Sequence, residues 1–322
     1  MGTYRICFFG TPAAAVPALE ACIADDRLEI VRVVTNPDRP SGRGHRLTPS
    51  PVKVAASAAG LEVWQPARPK TIGAELAALD LDACAIVAYG ALLPADVLAA
   101  GGAGFVNLHF SLLPAWRGAA PVTHTLLAGD TETGVSCFVL DEGMDTGPVL
   151  TERRTPVGEE ETAGALTERL AVLGAGALVD AVVGLVEGTH TPQPQPEQGA
   201  SVAPKVTPED ARLDWTQPAD SLARAVRAFN PLPGAHTTLA AGRLKVHRAA
   251  VVPAGPPTPG GQQPGTVTAL DADTGAPIVR CGHDALRLDR VQPAGKQAMS
   301  GAAFAHGYRP LGEVLGGTDP TG

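Results

Sequence analysis

The chain has 322 residues, 44% of them hydrophobic and 18% charged, with a mean hydropathy of +0.07 and a formal net charge of −8. That length suits about two domains of roughly 150 residues each, and the acidity argues against a general nucleic-acid binder, for which a basic domain is expected. Five cysteines with no C-x-x-C pair exclude a disulfide or zinc framework and fit buried thiols in a reduced compartment.

Residues 4–9 read as a strand and 13–23 as a helix, with Gly10-Thr11-Pro12 as a tight turn between them. The turn lacks G-x-G-x-x-G spacing and Pro12 removes a backbone donor, so no dinucleotide site is expected. The strand starts too early for a secretory leader, Ile6 breaks the myristoylation pattern, and no apolar run reaches roughly 18 residues. A soluble, cytoplasmic protein with no membrane partner is the expectation. Another strand covers 29–35, followed by a Pro/Gly/Arg loop to Pro49 that carries Arg39, Arg43 and Arg46, with no acid between Arg39 and Leu61. A solvated basic face and a polyanion contact both fit that loop. Ser50-Pro51 is an N-cap with proline at the first helical position, and Gly60 is a suitable stop. Short strands at 62–64, 83–88 and 105–109 alternate with helices near 71–79 and 94–99, the pattern of a mainly parallel, Rossmann-like α/β sheet flanked by helices.

In the 105–109 strand, Val106 and Leu108 alternate with Asn107 and His109, so the two polar residues share a face. Ser111-Leu112-Leu113-Pro114 ends the strand, because proline cannot donate. A helix is expected from about 119, then an apolar strand over 135–140 that runs into a loop where Gly143 and Gly147 flank Met144-Asp145-Thr146. Ligands of α/β sheets sit beyond the carboxyl ends of strands, which puts Asn107, His109 and Asp145 within reach of one cavity. One more strand and a long Ala/Leu/Val helix over 162–187 complete a first domain, 1–187. Residues 188–206, with Thr-Pro-Gln-Pro-Gln-Pro-Glu, read as an extended linker. In 207–310 a capped start at Thr207, a helix over 219–229 and five short strands suggest a smaller, β-rich, OB-fold-like barrel. Residues 311–322 read as a disordered tail. Charge divides unevenly: 13 basic against 23 acidic residues in 1–204, and 12 against 10 in 205–322.

The order of several short motifs carries a resemblance. Asn107-x-His109 with Ser-Leu-Leu-Pro, Trp116-Arg117-Gly118-Ala119-Ala120-Pro121, Asp145-Thr146-Gly147, Gly10-Thr11-Pro12, Pro37-Asp38-Arg39-Pro40 before Gly42-Arg43-Gly44, Val87-Ala88-Tyr89-Gly90 and Ala228-Phe229-Asn230-Pro231 span nearly the whole chain. Together they resemble the methionyl-tRNA formyltransferases, among the formyltransferases that use 10-formyltetrahydrofolate. The resemblance implies 10-formyltetrahydrofolate as formyl donor without a metal, and initiator methionyl-tRNA as acceptor. It implies Asn107, His109 and Asp145 as catalytic residues, and a folate pocket lined by Ser111, Leu112, Leu113, Pro114, Tyr89 and Asp141. It also implies a C-terminal tRNA-binding domain and an acceptor-stem contact from Arg43 beside Arg39 and Arg46. Phe110 stands where the family usually has a small residue, and Ala115 where a basic one is common.

Chemistry suits the three polar residues. Attack of an amine on a formyl carbon develops an oxyanion, which a neutral amide N–H such as that of Asn107 can meet. His109 titrates near neutrality and can donate a proton or stabilise charge. Asp145 can orient that imidazole or accept the amine proton. Ser111, His109 and Asp145 suggest a hydrolase triad only superficially, since no G-x-S-x-G elbow surrounds the serine. A formyltransferase acting on an aminosugar nucleotide and a non-catalytic tRNA- or folate-binding protein are the alternatives. The basic loop and the second domain favour the tRNA substrate over the aminosugar, and the intact trio favours turnover.

Overall fold

The computed structural model describes residues 2–41, 46–68, 71–253 and 263–317. The chain folds as two compact units. One comprises Met1–Pro121, Thr131–Val157 and Leu166–Pro204, and the other Val122–Asp130, Gly158–Ala165 and Lys205–Gly322.

The first unit is built on strands β1 (Tyr4–Gly10) and β2 (Leu28–Val34), joined by helix α1 (Val16–Ala24). A small hairpin, β3 (Arg39–Ser41) with β4 (Arg46–Thr48), precedes helix α2 (Pro51–Ala58) and strand β5 (Val63–Trp64). Helix α3 (Gly73–Ala77), strand β6 (Ala83–Val87), helix α4 (Ala95–Leu98) and strand β7 (Phe105–His109) follow. Helix α5 (Pro121–Ala128), nearly all of it in the second unit, leads to β8 (Glu132–Val139), β9 (Val149–Pro156) and the long helix α6 (Ala163–Val186), whose first turn also belongs to the second unit. The sheet order is β5-β2-β1-β6-β7-β8-β9. The first five strands are parallel, as the strand–helix alternation requires, whereas β8 is antiparallel to β7 and β9 antiparallel to β8.

Local chemistry explains several element ends. The Ser50 hydroxyl accepts the Lys53 N–H at 3.0 Å, so the expected N-cap of α2 forms. The hairpin within the expected basic loop was not signalled by any hydrophobic alternation. Its base is held where Asp38 pairs with Lys53 at 2.7 Å and accepts the Gln65 amide at 2.7 Å. Helix α6 packs against β7 through Gly174, where a Cβ would lie 2.6 Å from a Leu108 methyl. This helix corrects the expectation that no apolar stretch is long enough to span a bilayer: its mean hydropathy is 1.9 over 18 residues, yet 61% of that window is buried inside the protein. It is a core helix by burial.

Residues 188–204, expected as a linker, belong to the first unit. Gln193 exchanges two backbone bonds of 2.8 Å with Val149, and Ala203 is fully buried. Proline-rich composition kept the segment extended; its backbone groups found partners on the first unit.

In the second unit, helix α7 (Ala219–Ala228) precedes strands β10 (His236–Leu239), β11 (Gly242–Val252), β12 (Val267–Leu270), β13 (Pro277–Arg280), β14 (Ala285–Pro293) and β15 (Met299–Ser300), then helix α8 (Gly301–Tyr308). The strands form one antiparallel sheet, β10-β11-β14-β13-β12 with β15 on β14, a curled half-barrel in keeping with the smaller, β-rich, OB-fold-like domain expected. Leu222, Val226, Phe229, Trp215 and Phe304 fill its core. Residues 311–317, expected in a disordered tail, are pinned: Leu315 is 3% exposed, its N–H donates to Gly265 O at 2.8 Å, and Glu313 O accepts from Val267. One buried leucine and a run of backbone bonds outweigh the glycine-rich composition.

Five buried free cysteines complete the cores, and burial pushes the Cys137 thiol up to about 12. Phe9 is the ring that joins the parallel strands to the site above them, 5.4 Å from Tyr89 and 5.2 Å from Phe105. Phe9→Ala is therefore expected to lower stability by about 3–5 kcal/mol, read from the urea midpoint of near-UV circular dichroism. An unchanged midpoint would show that the ring does not hold this core.

Candidate active site

Strand β7 presents its odd and even residues as the alternation demands. Asn107 and His109 line a cavity of about 500 Å³, together with Tyr89, Leu92, Phe110, Asp141, Met144 and Asp145. Its remaining walls, including Leu93, Leu98 and Pro121, are largely apolar. Such a lining with few polar groups is the usual make-up of a small-molecule site.

Asp145 arrives by an unexpected route. Because β8 is antiparallel to β7, its final Val139 pairs with Val106 and the Leu140 N–H bonds Phe105 O, at the far end of β7 from His109. The loop 140–148 must then return about three residues, roughly 10 Å at strand rise, to reach the imidazole. Asp145 closes that path in the left-handed region, φ 54°. Its Oδ2 accepts the Gly118 N–H at 2.7 Å and lies 3.6 Å from His109 Nδ1.

His109 is 5% exposed, and its Nε2 lies 2.9 Å from the Trp116 carbonyl oxygen. A carbonyl only accepts, so Nε2 carries the proton and the neutral ring turns the Nδ1 lone pair toward Asp145. Two acceptors that face each other leave a slot for one proton between them. Burial holds the imidazole pKa below its ordinary value, against the raising influence of the Asp145 carboxylate and the Trp116 carbonyl. Among the described residues the Asn107 carboxamide makes no hydrogen bond, and it is half-buried at the cavity wall. Gly118 (φ +122°) has no room for a side chain, since a Cβ would lie 2.7 Å from Ala203 O. That is why a glycine delivers the N–H to Asp145.

Other expected site residues divide. Tyr89 and Asp141 line the cavity, the Asp141 carboxylate being engaged by the Gly143 N–H at 3.0 Å and the Thr146 hydroxyl at 2.8 Å. Ser111, Leu112, Leu113 and Pro114 are not among the residues that line this cavity. Beyond His109 the chain turns inward: Ser111 is fully buried and donates to Ala115 O at 2.7 Å, while Ser136 bridges Ser111 O and the Leu113 N–H. The same bond takes the Ser111 hydroxyl away from the imidazole, so no triad forms. Arg39 is exposed in β3, Arg46 lies in β4, and Arg43 falls outside the described residues. Among the described residues no three His, Cys, Asp or Glu side chains are grouped to hold a metal ion. The Trp116 carbonyl and Gly118 N–H, which complete the site, are backbone groups and carried no side-chain signal in the sequence.

The depressed imidazole pKa sets a pH dependence. A histidine held neutral contributes stability that is complete above the unfolded value of about 6.5 and is lost as pH falls from there through its own lower value. His109→Asn is expected to flatten the stability change between neutral pH and pH 5, followed by denaturant unfolding at each pH. An equally steep acid loss in the variant would assign it elsewhere.

Comparison with known proteins places this geometry. The formyl transferase family model matches residues 4–182, and the formyl transferase C-terminal domain model matches residues 205–309. The methionyl-tRNA formyltransferase of Frankia casuarinae is 48% identical over 97% of this chain and 96% of its own length. That of Thiobacillus denitrificans is 48% identical over 94% of this chain and 96% of its own. Among solved structures, HypX from Aquifex aeolicus in complex with tetrahydrofolic acid superposes with a TM-score of 0.63 at 16% identity, covering 95% of this chain and 47% of that one. The N-formyltransferase from Helicobacter canadensis, in complex with folinic acid and dTDP-3-aminofucose, gives 0.62 at 15% identity, over 89% of this chain and 99% of that one. The two structures share the fold. With both family models matched in order and relatives near half identity aligned end to end, the chain belongs to the methionyl-tRNA formyltransferases.

Proposed function

We propose that the chain transfers the formyl group of 10-formyltetrahydrofolate to the α-amino group of methionyl initiator tRNA, in the cytoplasm where charged tRNA is used. The observation that carries the chemistry is the one-proton slot between His109 Nδ1 and Asp145 Oδ2, beside an Asn107 amide that has no hydrogen-bond partner among the described residues. The apolar walls suit the flat rings of the donor.

In this reading the amine nitrogen attacks the formyl carbon, the carbonyl π electrons move onto oxygen, and the Asn107 N–H meets the developing negative charge. The nitrogen becomes positive as its bond forms, and one of its protons passes into the His109–Asp145 slot. Collapse re-forms the carbonyl and breaks the bond to N10 of the folate, which takes up a proton. The products are the formylated amine and tetrahydrofolate. Asp145, as an anion, favours the transient positive charge on either the nitrogen or the imidazole. Trp116 keeps the imidazole in the tautomer that leaves Nδ1 open.

Asn107→Ala is expected to slow turnover by about two to three orders of magnitude, the typical cost of one oxyanion donor, with folate affinity nearly unchanged. The assay uses charged initiator tRNA, with a dTDP-linked aminosugar as the competing acceptor. Normal turnover in the variant would remove Asn107 from the chemistry, and formylation of the aminosugar alone would remove the tRNA.

For recognition of the tRNA we assign Arg39, Arg43 and Arg46. Lys53, the other cation of this stretch, is already paired with Asp38, which leaves the arginines of the hairpin and its connection as candidates for phosphate or base contacts. Arg43→Ala is expected to impair formylation of methionyl-tRNA strongly while folate binding stays intact. Arg43→Lys is expected to recover little, because a point charge does not replace the planar fork. Equal rates for wild type and Arg43→Ala on full-length tRNA would reduce the loop to a solvated surface.

A further inference from the structure

We infer that Gln195 is a positioning residue for the transfer, its carboxamide holding Asp145 at its station beside His109. The inference rests on the reading of Asn107, His109 and Asp145 as the reacting groups.

Gln195 lies in the proline-rich segment that the sequence presents as a linker. Its amide nitrogen donates to the backbone oxygens of Asp145 at 2.8 Å and Gly147 at 2.7 Å. Its oxygen accepts from Arg117 Nε at 3.0 Å and Nη2 at 2.7 Å. The orientation of the amide is unambiguous, because a guanidinium only donates and a carbonyl only accepts. Both N–H groups and the oxygen are thus occupied, and the partners are not scattered. Arg117 stands between Trp116, whose carbonyl fixes the His109 tautomer, and Gly118, whose N–H holds the Asp145 carboxylate. One carboxamide therefore joins the two loops that define the proton slot.

The segment is itself anchored on the same loop. Ser201 O accepts the Arg117 N–H at 2.9 Å, the Ala203 N–H reaches Arg117 O at 2.7 Å, and the Ser201 hydroxyl accepts the Trp116 N–H at 2.9 Å. On the other side, the backbone Gln195 grips is a strained one: Asp145 occupies φ 54°. Left-handed backbone at a non-glycine residue persists only where its surroundings over-determine it. Two hydrogen bonds from a half-buried amide to the carbonyls at 145 and 147 supply that determination.

Gln195→Glu separates positioning from simple attachment. A carboxylate keeps, and strengthens, the pairing with Arg117, so the segment stays docked. It has no N–H to offer, and it sets negative oxygen against two carbonyl oxygens. The grip on residues 145–147 is lost selectively. Expected results are a fall in kcat of about tenfold or more, a KM for the formyl donor within about twofold of wild type, and an unfolding midpoint near that of wild type. Asp145 favours the protonated imidazole, so its release moves the His109 titration downward in the protein without substrates. That titration is read from the histidine ring signals by NMR, assigned by their loss in His109→Asn. The acid limb of the kcat profile moves in the same direction. Gln195→Ala removes both sets of bonds and is expected to show the same downward shift, so the test survives if one variant folds poorly.

A folded Gln195→Glu protein with unchanged kcat and an unchanged His109 midpoint would overturn the inference. If wild type fails to formylate charged tRNA, the functional reading fails instead, and the His109 shift still reports on the clamp.

Discussion

The site depends on a single proton. A buried imidazole must place its N–H somewhere, and the acceptor set against Nε2 of His109 is the Trp116 carbonyl. Once that bond is made, the tautomer is decided, Nδ1 is left as a lone pair, and a carboxylate beside it completes a place for one exchangeable hydrogen. Much of the surrounding architecture serves this arrangement. The turn after β7 carries Trp116 back over the ring, Gly118 two residues later ties down the acid, and the 193–203 segment laces that turn to the loop of Asp145. The desolvation that lowers the imidazole pKa is the cost of keeping the ring in a dry, fixed pose, and the acid partly offsets it.

Three non-glycine residues in left-handed backbone lie at the site: Ala88 beside Tyr89, Trp116 at the carbonyl that receives the His109 proton, and Asp145 itself. Each carries strain that a more relaxed loop would not. Each also aims a group no extended or helical residue could aim from the same point in the chain. At the other rim, Asn36 donates to Tyr89 O at 2.7 Å and to the Thr11 hydroxyl at 3.0 Å, joining the ends of β1, β2 and β6 below the turn that bears Tyr89. The cavity is held from below by strand ends and from the side by loops that have given up local comfort for direction.

How much of this was legible in the sequence follows from the range over which each signal acts. The period-2 run at Val106–His109 states which residues face together, because alternation is a property of the strand alone. The Ser50 cap and the parallel part of the sheet were legible for the same reason. Asp145 lines one cavity with His109, but the expectation rested on ligands sitting beyond the carboxyl ends of strands, whereas β8 runs antiparallel to β7. The antiparallel turn depends on pairing partners that no local pattern names. Ser111 to Pro114 were carried to the pocket by resemblance alone; once β7 ends, Ser111 and Leu113 are buried, while Leu112 and Pro114 stay half-buried. Gln195 was invisible because composition marked its neighbourhood as a spacer; nothing in Pro-Gln-Pro-Gln-Pro says that one glutamine will meet three partners about 50 to 80 residues away.

The left-handed backbone at residue 145 also bears on why an aspartate, and not a glutamate, holds the position. Of the two acids, the shorter one tolerates that region of φ and ψ far better, since its carboxylate can bond locally while the longer chain has no such compensation. Asparagine shares that tolerance. An exchange of Asp145 for asparagine would therefore strip away the negative charge while sparing the loop geometry, whereas alanine would change both at once and glutamate would keep the charge but disturb the loop. The identity of the acid is chosen by the bend of the chain as much as by the chemistry it performs.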